Sequence, residues 1–234
     1  MSNQTAQIEK ETGTKMVITI QEHGMPSIEE FSNGVSMGSG AYSHEAVVRA
    51  IMQSLEYNAI QTPILPKNAI MYFEGPMQRY CVMEIPAHKR TAFYHEAVLK
   101  GVPFPRIVMV FKLQLQKKEL HIMDVYVGAL ASDAINIEDA AVYFYPYTNV
   151  KEDFSVCWGG QQLPIIERIS QLSTFPDLFF NSPNSDCYYH SANNSKKTYR
   201  ELVGLLKGKK FPDEYLKATG YTFQEWIKKF TSSI

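Results

Sequence analysis

The chain has 234 residues, 45% of them hydrophobic and 20% charged, which supplies enough apolar material for one large domain or two small ones. Its net charge of −1 excludes a global field that would draw in nucleic acid, so no direct nucleic-acid binding is expected. No apolar run reaches the roughly 18 residues of a membrane span, and the first fifteen residues lack the apolar stretch of a secretory signal. A cytoplasmic protein without a membrane partner is therefore expected.

Residues 1–15 are polar and without period, and read as a disordered tail. The first strand is expected at 16–20, where β-branched residues cluster. The Gly- and Ser-rich stretch that follows, containing Gly34, Gly38 and Gly40, reads as a loop ending at Ser43. That serine is placed to cap a helix whose apolar residues Ala46, Val47, Ala50, Ile51 and Leu55 recur at helical spacing, to about Tyr57. Strands are then expected at 69–75, 79–86, 107–115, 119–128 and 141–147, in an antiparallel meander. The short Gln116-Lys117-Lys118 link predicts a hairpin between the third and fourth of these. Alternation puts His121, Met123 and Val125 on one face. Pro164 sits where a helix can begin, and the apolar spacing after it runs until Pro176 stops it. Two further helices are expected near 199–206 and 223–230, in a tail of net charge +5 over residues 195–234. That charge reads either as a solvated helical face or as a surface for an acidic protein partner.

Several motifs exclude themselves. The tetrapeptide His-Glu-Ala-Val occurs at 44–47 and 95–98, but Val48 and Leu99 stand where a zinc site needs its second histidine, so both read as helix starts. The glycines before Ser43 lack the Gly-Lys-Ser/Thr of a phosphate loop. The remaining histidines, His23, His88, His121 and His190, show no ligand spacing. Cys81, Cys157 and Cys187 are odd in number, form no Cys-x-x-Cys pair, and read as free thiols; no metal and no cofactor is expected.

Chemistry concentrates in residues 141–164. An apolar strand leads into the Pro146-Tyr147-Thr148-Asn149 turn, and Cys157 then appears between Val156 and Trp158 with Gly159 and Gly160 behind it. A free cysteine is commonly a buried small hydrophobe. The flanking glycines instead leave room for a bulky group, and an upstream side-chain amide can donate to an oxyanion developing on a thioester carbonyl.

This segment resembles the catalytic region of ubiquitin-conjugating enzymes, in which a His-Pro-Asn turn precedes the active cysteine by eight residues. Asn149 and Cys157 reproduce the interval, and Asn149-Val150 and Val156-Cys157 reproduce the flanking steps. Tyr147 and Thr148 replace the His-Pro pair, Phe154 stands where the family usually has Gly, and Trp158-Gly159 replaces Leu-Asp. The chain more closely resembles prokaryotic ubiquitin-conjugating family D, also described as protein B of the PRTRC system. That likeness runs through Leu65-Pro66, Pro86-Ala87 with Arg90, Pro105, the turn with its Asn149-Val150, Val156-Cys157-Trp158-Gly159, and Phe179-Phe180-Asn181-Ser182, over about residues 43–216.

The resemblance implies a bacterial ubiquitin-like pathway and an α+β, UBC-like antiparallel β-meander flanked by helices. It also implies three partners encoded in the same operon: a ubiquitin-like β-grasp protein, a ThiF-like activating enzyme and a JAB-type isopeptidase. Cys157 would carry the modifier as a thioester and pass it to an amine, making the chain an acyl transferase. Asn149 would orient the turn or stabilise the oxyanion, with Pro146, Tyr147, Val150, Val156, Trp158 and Gly159 as the supporting loop. No cation lies within four residues after Cys157, and Glu152 and Asp153 lie before it, but thioester exchange draws its driving force from the incoming thioester. The alternative is a catalytically inactive UBC-like module that binds the ubiquitin-like protein or the activating enzyme; a cysteine hydrolase or thiol peroxidase would need a base that no spacing marks. The expected organisation is a tail at 1–15, an amino-terminal α/β extension at 16–100, the UBC-like core at 101–192 and a basic helical appendage at 193–234.

Overall fold

Strands form where β-branched and aromatic residues run together, and turns where residues tolerate the left-handed backbone. The computed structural model of the chain describes residues 13–20, 23–54, 62–75, 78–189 and 192–231. The expected tail up to residue 12, Leu55 to Tyr57 of the first helix, and His190 lie outside the described residues. The chain divides into two compact units, residues 1–61 and 62–234.

The first unit holds β1 (Thr14–Thr19), β2 (Ser27–Ser32) and β3 (Val35–Ala41) in an antiparallel sheet of that order, followed by α1 (His44–Ser54). The Gly-rich stretch expected as loop is therefore largely strand. Asn33 and Gly34, at φ of 48° and 79°, form a two-residue turn whose twist matches the strands it joins, and this sets the register of the hairpin. Ser43 caps α1 as expected, accepting from the Ala46 amide at 3.2 Å.

The second unit is built on β4 (Ala69–Glu74), β5 (Gln78–Ile85), β8 (Arg106–Gln116), β9 (Glu119–Leu130), β10 (Ala141–Phe144) and β11 (Ala218–Thr222). They form one antiparallel sheet, ordered β11-β10-β9-β8-β5-β4. A two-stranded ribbon, β6 (His88–Tyr94) and β7 (Ala97–Phe104), is inserted between β5 and β8. His95, at φ 48°, opens the turn of that ribbon, so the second His-Glu-Ala-Val is a hairpin and not a helix start. The β8–β9 link turns through Lys117 and Lys118, both with positive φ, as the short connection predicts.

Both faces of the central strands are covered, which explains their nearly continuous apolar runs. On one face Met83, Ile107, Met109, Phe111, Val125 and Val127 pack against a 3₁₀ helix (Ile169–Thr174), α2 (Phe175–Asn181) and α3 (Tyr199–Leu206). On the other, Tyr80, Val82, Val108, Val110 and Val142 pack against Phe223, Trp226 and Ile227 of α4 (Phe223–Thr231). Residues 193–234, expected as an appendage, thus contribute to both cores. Likewise the boundary expected near residue 100 falls at 61/62, because β5 is hydrogen-bonded to β8 along its whole length.

Two further readings change. Pro176 begins α2 instead of stopping a helix: it occupies the first turn, where its missing N–H costs no hydrogen bond. No helix starts at Pro164; Ile166 bridges Leu120 of β9 instead. In β9 the register slips around Met123, since Lys112 pairs with Asp124 but Leu113 with Ile122. The bulge reverses the alternation, so Leu120 and Ile122 join Val125 on the core side while Met123 is half exposed.

Candidate active site around Cys157

The turn after β10 is held from beneath. Tyr145, Pro146, Tyr147 and Thr148 are all buried. The Pro146 carbonyl accepts from Asn193 Nδ2 at 2.8 Å, and the Tyr147 hydroxyl donates to the Pro103 carbonyl at 2.5 Å. Burial pushes the Tyr147 phenol well above its ordinary pKa, so it remains a donor. Thr148 Oγ1 donates to Asn184 Oδ1 at 2.7 Å. Asn184 in turn donates its amide to the Phe93 carbonyl at 3.0 Å, and its backbone carbonyl accepts from the His95 amide at 3.0 Å. One buried asparagine therefore ties the turn to the β6–β7 ribbon, and its network is closed on both sides.

Asn149 takes a φ of 69°, a left-handed conformation that asparagine tolerates better than most residues. Its side-chain Nδ2 donates to the Pro183 carbonyl at 3.0 Å, and its own carbonyl accepts from the Cys157 amide at 2.8 Å. Val150 and Val156 bridge below, the Phe154 amide donates to the Lys151 carbonyl at 2.9 Å, and residues 150–156 form a tight hairpin. Asp153 accepts from the hydroxyl and the amide of Ser155 at 2.7 and 2.9 Å, and the hydroxyl bond above all holds its carboxyl below the usual range.

Phe154 occupies the left-handed position of this hairpin, at φ 72°. The conformation costs a non-glycine residue about 1–2 kcal/mol. Burying the ring returns about 1.5–3 kcal/mol. It stacks on Phe144 at 5.2 Å and meets Trp226 edge-on at 5.6 Å, so packing offsets the strain at a position where glycine would carry none.

The hairpin docks on the part of β9 that β10 does not cover. The Val156 amide donates to the Val125 carbonyl at 2.8 Å, and the Val127 amide to the Phe154 carbonyl at 2.9 Å. Ile166 pairs with Leu120 further along the same strand, with bonds of 2.8 and 3.1 Å. Residues 157–165 therefore leave the sheet at one anchor and return at another. Cys157 opens this excursion and is partly exposed, whereas Cys81 is buried, its thiol pushed up to about 12 by desolvation, and Cys187 is exposed on the segment after α2. Trp158 is half-buried against Phe179 at 6.3 Å, while Gly159 and Gly160, at φ of 58° and 86°, have open space on their side-chain side.

The eight-residue interval thus becomes a backbone contact between Asn149 and Cys157, with Val150 and Val156 as the rungs beneath. Tyr147 is fully buried and adds no surface beside the thiol. Pro183 and Asn184, which fix the turn from across the chain, were not singled out in the sequence; only the polar, Pro-containing run 182–186 hints at a turn there. Arg90 reaches Asp177 at 3.1 Å and Asn181 at 3.0 Å and lies over the Phe180 ring, so two of the spaced motifs meet at α2. Among the described residues no group of histidine, cysteine, aspartate and glutamate is arranged to hold a metal ion. Among them, too, no helix is long and apolar enough to cross a membrane.

The described residues form an α+β fold of mostly antiparallel sheet, with a partly exposed cysteine hydrogen-bonded through its backbone to an asparagine turn. A family model described as prokaryotic E2 family D matches residues 46–219, well over half of the chain, and the chain belongs to that family. Membership connects it with ubiquitin-like systems of bacteria in general. No curated protein and no solved structure matches it significantly.

Proposed function

We propose that this protein is a thioester-carrying conjugating factor with Cys157 as the acceptor. The observation that carries this reading is the partly exposed Cys157, hydrogen-bonded through its backbone to Asn149 and followed by two glycines with open space around them. In the first step the Cys157 thiolate attacks the carbonyl carbon of a thioester presented by an activating enzyme. A new carbon–sulfur bond forms, and the donor sulfur leaves as its thiolate. An amine then attacks the same carbonyl, Cys157 departs as thiolate, and the amine's proton passes to solvent.

Asn149 is proposed as a positioning residue. Its amide is engaged by Pro183, and its carbonyl fixes the Cys157 backbone, so it sets where the thiol stands. The partners are proposed as a ubiquitin-like β-grasp protein, a ThiF-like activating enzyme and a JAB-type isopeptidase of a PRTRC-like operon.

Incubated with the activated β-grasp protein, the wild type is expected to form an adduct that thiol reductant cleaves. Cys157→Lys is expected to hold the same protein in an adduct that reductant leaves intact, and Cys157→Ala to form none. Mass spectrometry of the adduct reads each outcome; an adduct on Cys187, or none in the wild type, defeats the proposal. The engagement of the Asn149 amide by Pro183 favours a second reading, a binding module without transfer. That reading is selected if Cys157→Ala binds the β-grasp protein at full strength while no wild-type thioester forms.

A further inference from the structure

Away from Cys157, the second unit contains a cavity of about 420 Å³ that no step above uses. Its size falls within the roughly 300–1,000 Å³ of small-molecule sites. Four stretches of chain build it: Ala87, His88 and Lys89 at the start of the ribbon, residues 103–106 leading into β8, Ser132 after β9, and Lys209, Lys210, Phe211 and Asp213 after α3.

The lining carries four permanent cations, Lys89, Arg106, Lys209 and Lys210, against one carboxylate, Asp213. That carboxylate is occupied, accepting from the Ser132 amide at 2.9 Å and hydroxyl at 2.6 Å. Arg106 is partnered by Glu84 at 2.6 Å, and Lys89 donates to the Gly208 carbonyl at 2.5 Å. These two fix the walls and leave Lys209 and Lys210, both exposed, as the remaining cationic residues of the lining. The remaining wall is apolar: Pro103, Phe104, Pro105 and Phe211. His88 completes it, stacked on Phe104 at 5.2 Å with Nδ1 turned to the Pro86 carbonyl at 2.9 Å.

The same wall disfavours a peptide. Residues 103 and 105 are prolines without an N–H, and the Pro103 carbonyl is taken by Tyr147, so an extended chain finds few backbone partners there. Two consecutive lysines in a lining that also carries Pro103, Phe104, Pro105 and Phe211 suit a small molecule with concentrated negative charge and a flat body.

We propose that this cavity binds a compact organic phosphate, with the phosphate on Lys209 and Lys210 and the apolar body against Phe104 and Phe211. The proposal is independent of the role given to Cys157. The floor rings nevertheless meet Tyr147 edge-on at 5.2 and 5.7 Å, so the cavity and the cysteine turn share one aromatic cluster.

Titration calorimetry on the full chain tests it with ADP, pyrophosphate, adenosine and hexaglutamate as probes. ADP is expected to bind, pyrophosphate more weakly, and adenosine and hexaglutamate not to register. Lys209→Glu with Lys210→Glu is expected to weaken ADP by about tenfold or more. The same charge change at the far end of β8, Lys117→Glu with Lys118→Glu, should leave ADP binding unchanged. Circular dichroism checks that both variants fold. Absence of heat with both ADP and pyrophosphate, equal loss in the two double variants, or hexaglutamate binding as tightly as ADP would each overturn the proposal.

Discussion

Single residues here resolve conflicts between local preference and tertiary need. Asn149 accepts a left-handed backbone that its type tolerates, whereas Phe154 accepts one that its type resists, offset by the rings of Phe144 and Trp226. His88 shows the same logic in its titration. Burial, more than any neighbour, holds its pKa below the ordinary 6.5; the Pro86 carbonyl and Asp177 work to raise it and Arg90 to lower it further. The unfolded chain therefore binds a proton at a pH where the folded chain does not, so stability falls as pH drops below 6.5. His88→Gln is expected to flatten that part of the profile, measured by urea unfolding between about pH 7 and pH 5. Identical slopes in the two proteins would show that His88 does not contribute.

At the scale of elements, close contact determines where substitutions are felt. Gly128 of β9 lies under α4: a Cβ built there would stand 2.8 Å from Val142 and 3.2 Å from the Trp226 ring. Gly128→Ala is expected to cost about 1–3 kcal/mol through overpacking. Gly204→Ala on α3, which meets nothing within 4 Å, serves as the control, both read by chemical denaturation. Strands β5, β8 and β9 were readable because their runs are largely apolar, whereas β11, a short polar stretch around Gly220, was not. The ribbon β6–β7 was not, because Lys89, Arg90, Glu96 and Lys100 interrupt any apolar pattern. Strand β3 was hidden by its glycines, and the bulge at Met123 by the rule of alternation itself, which has no place for an extra residue. At the candidate site the interval from Asn149 to Cys157 was legible because it is local. The ties to Pro183, Asn184, Val125 and Leu120 join residues far apart in the chain, and a single sequence carries no mark of such pairings.

The molecule as a whole is rich in buried and half-buried phenols. Tyr72 and Tyr126 are each pushed up to about 12, chiefly by desolvation, as is the Cys81 thiol. Tyr145, Tyr147 and Tyr199 are raised too, again mainly by burial. In each case the folded state keeps a proton that the unfolded chain releases at lower pH. Stability should therefore hold below the ordinary values of 9.0 for cysteine and 10.0 for tyrosine and fall as pH rises above them. Unfolding followed together with tyrosinate absorbance tests this. Cooperative loss of structure accompanied by a step in absorbance is expected, and smooth phenol titration in an intact fold would contradict it. The double mooring of residues 157–165 on β9 has a separate consequence for how such a protein can be altered. Between the moorings the span leans on the body through Trp158 and Leu163, while Gly159 and Gly160 face open space. Residues spliced in beyond Gly160 would change its reach toward a bulky guest while the strand beneath keeps its register.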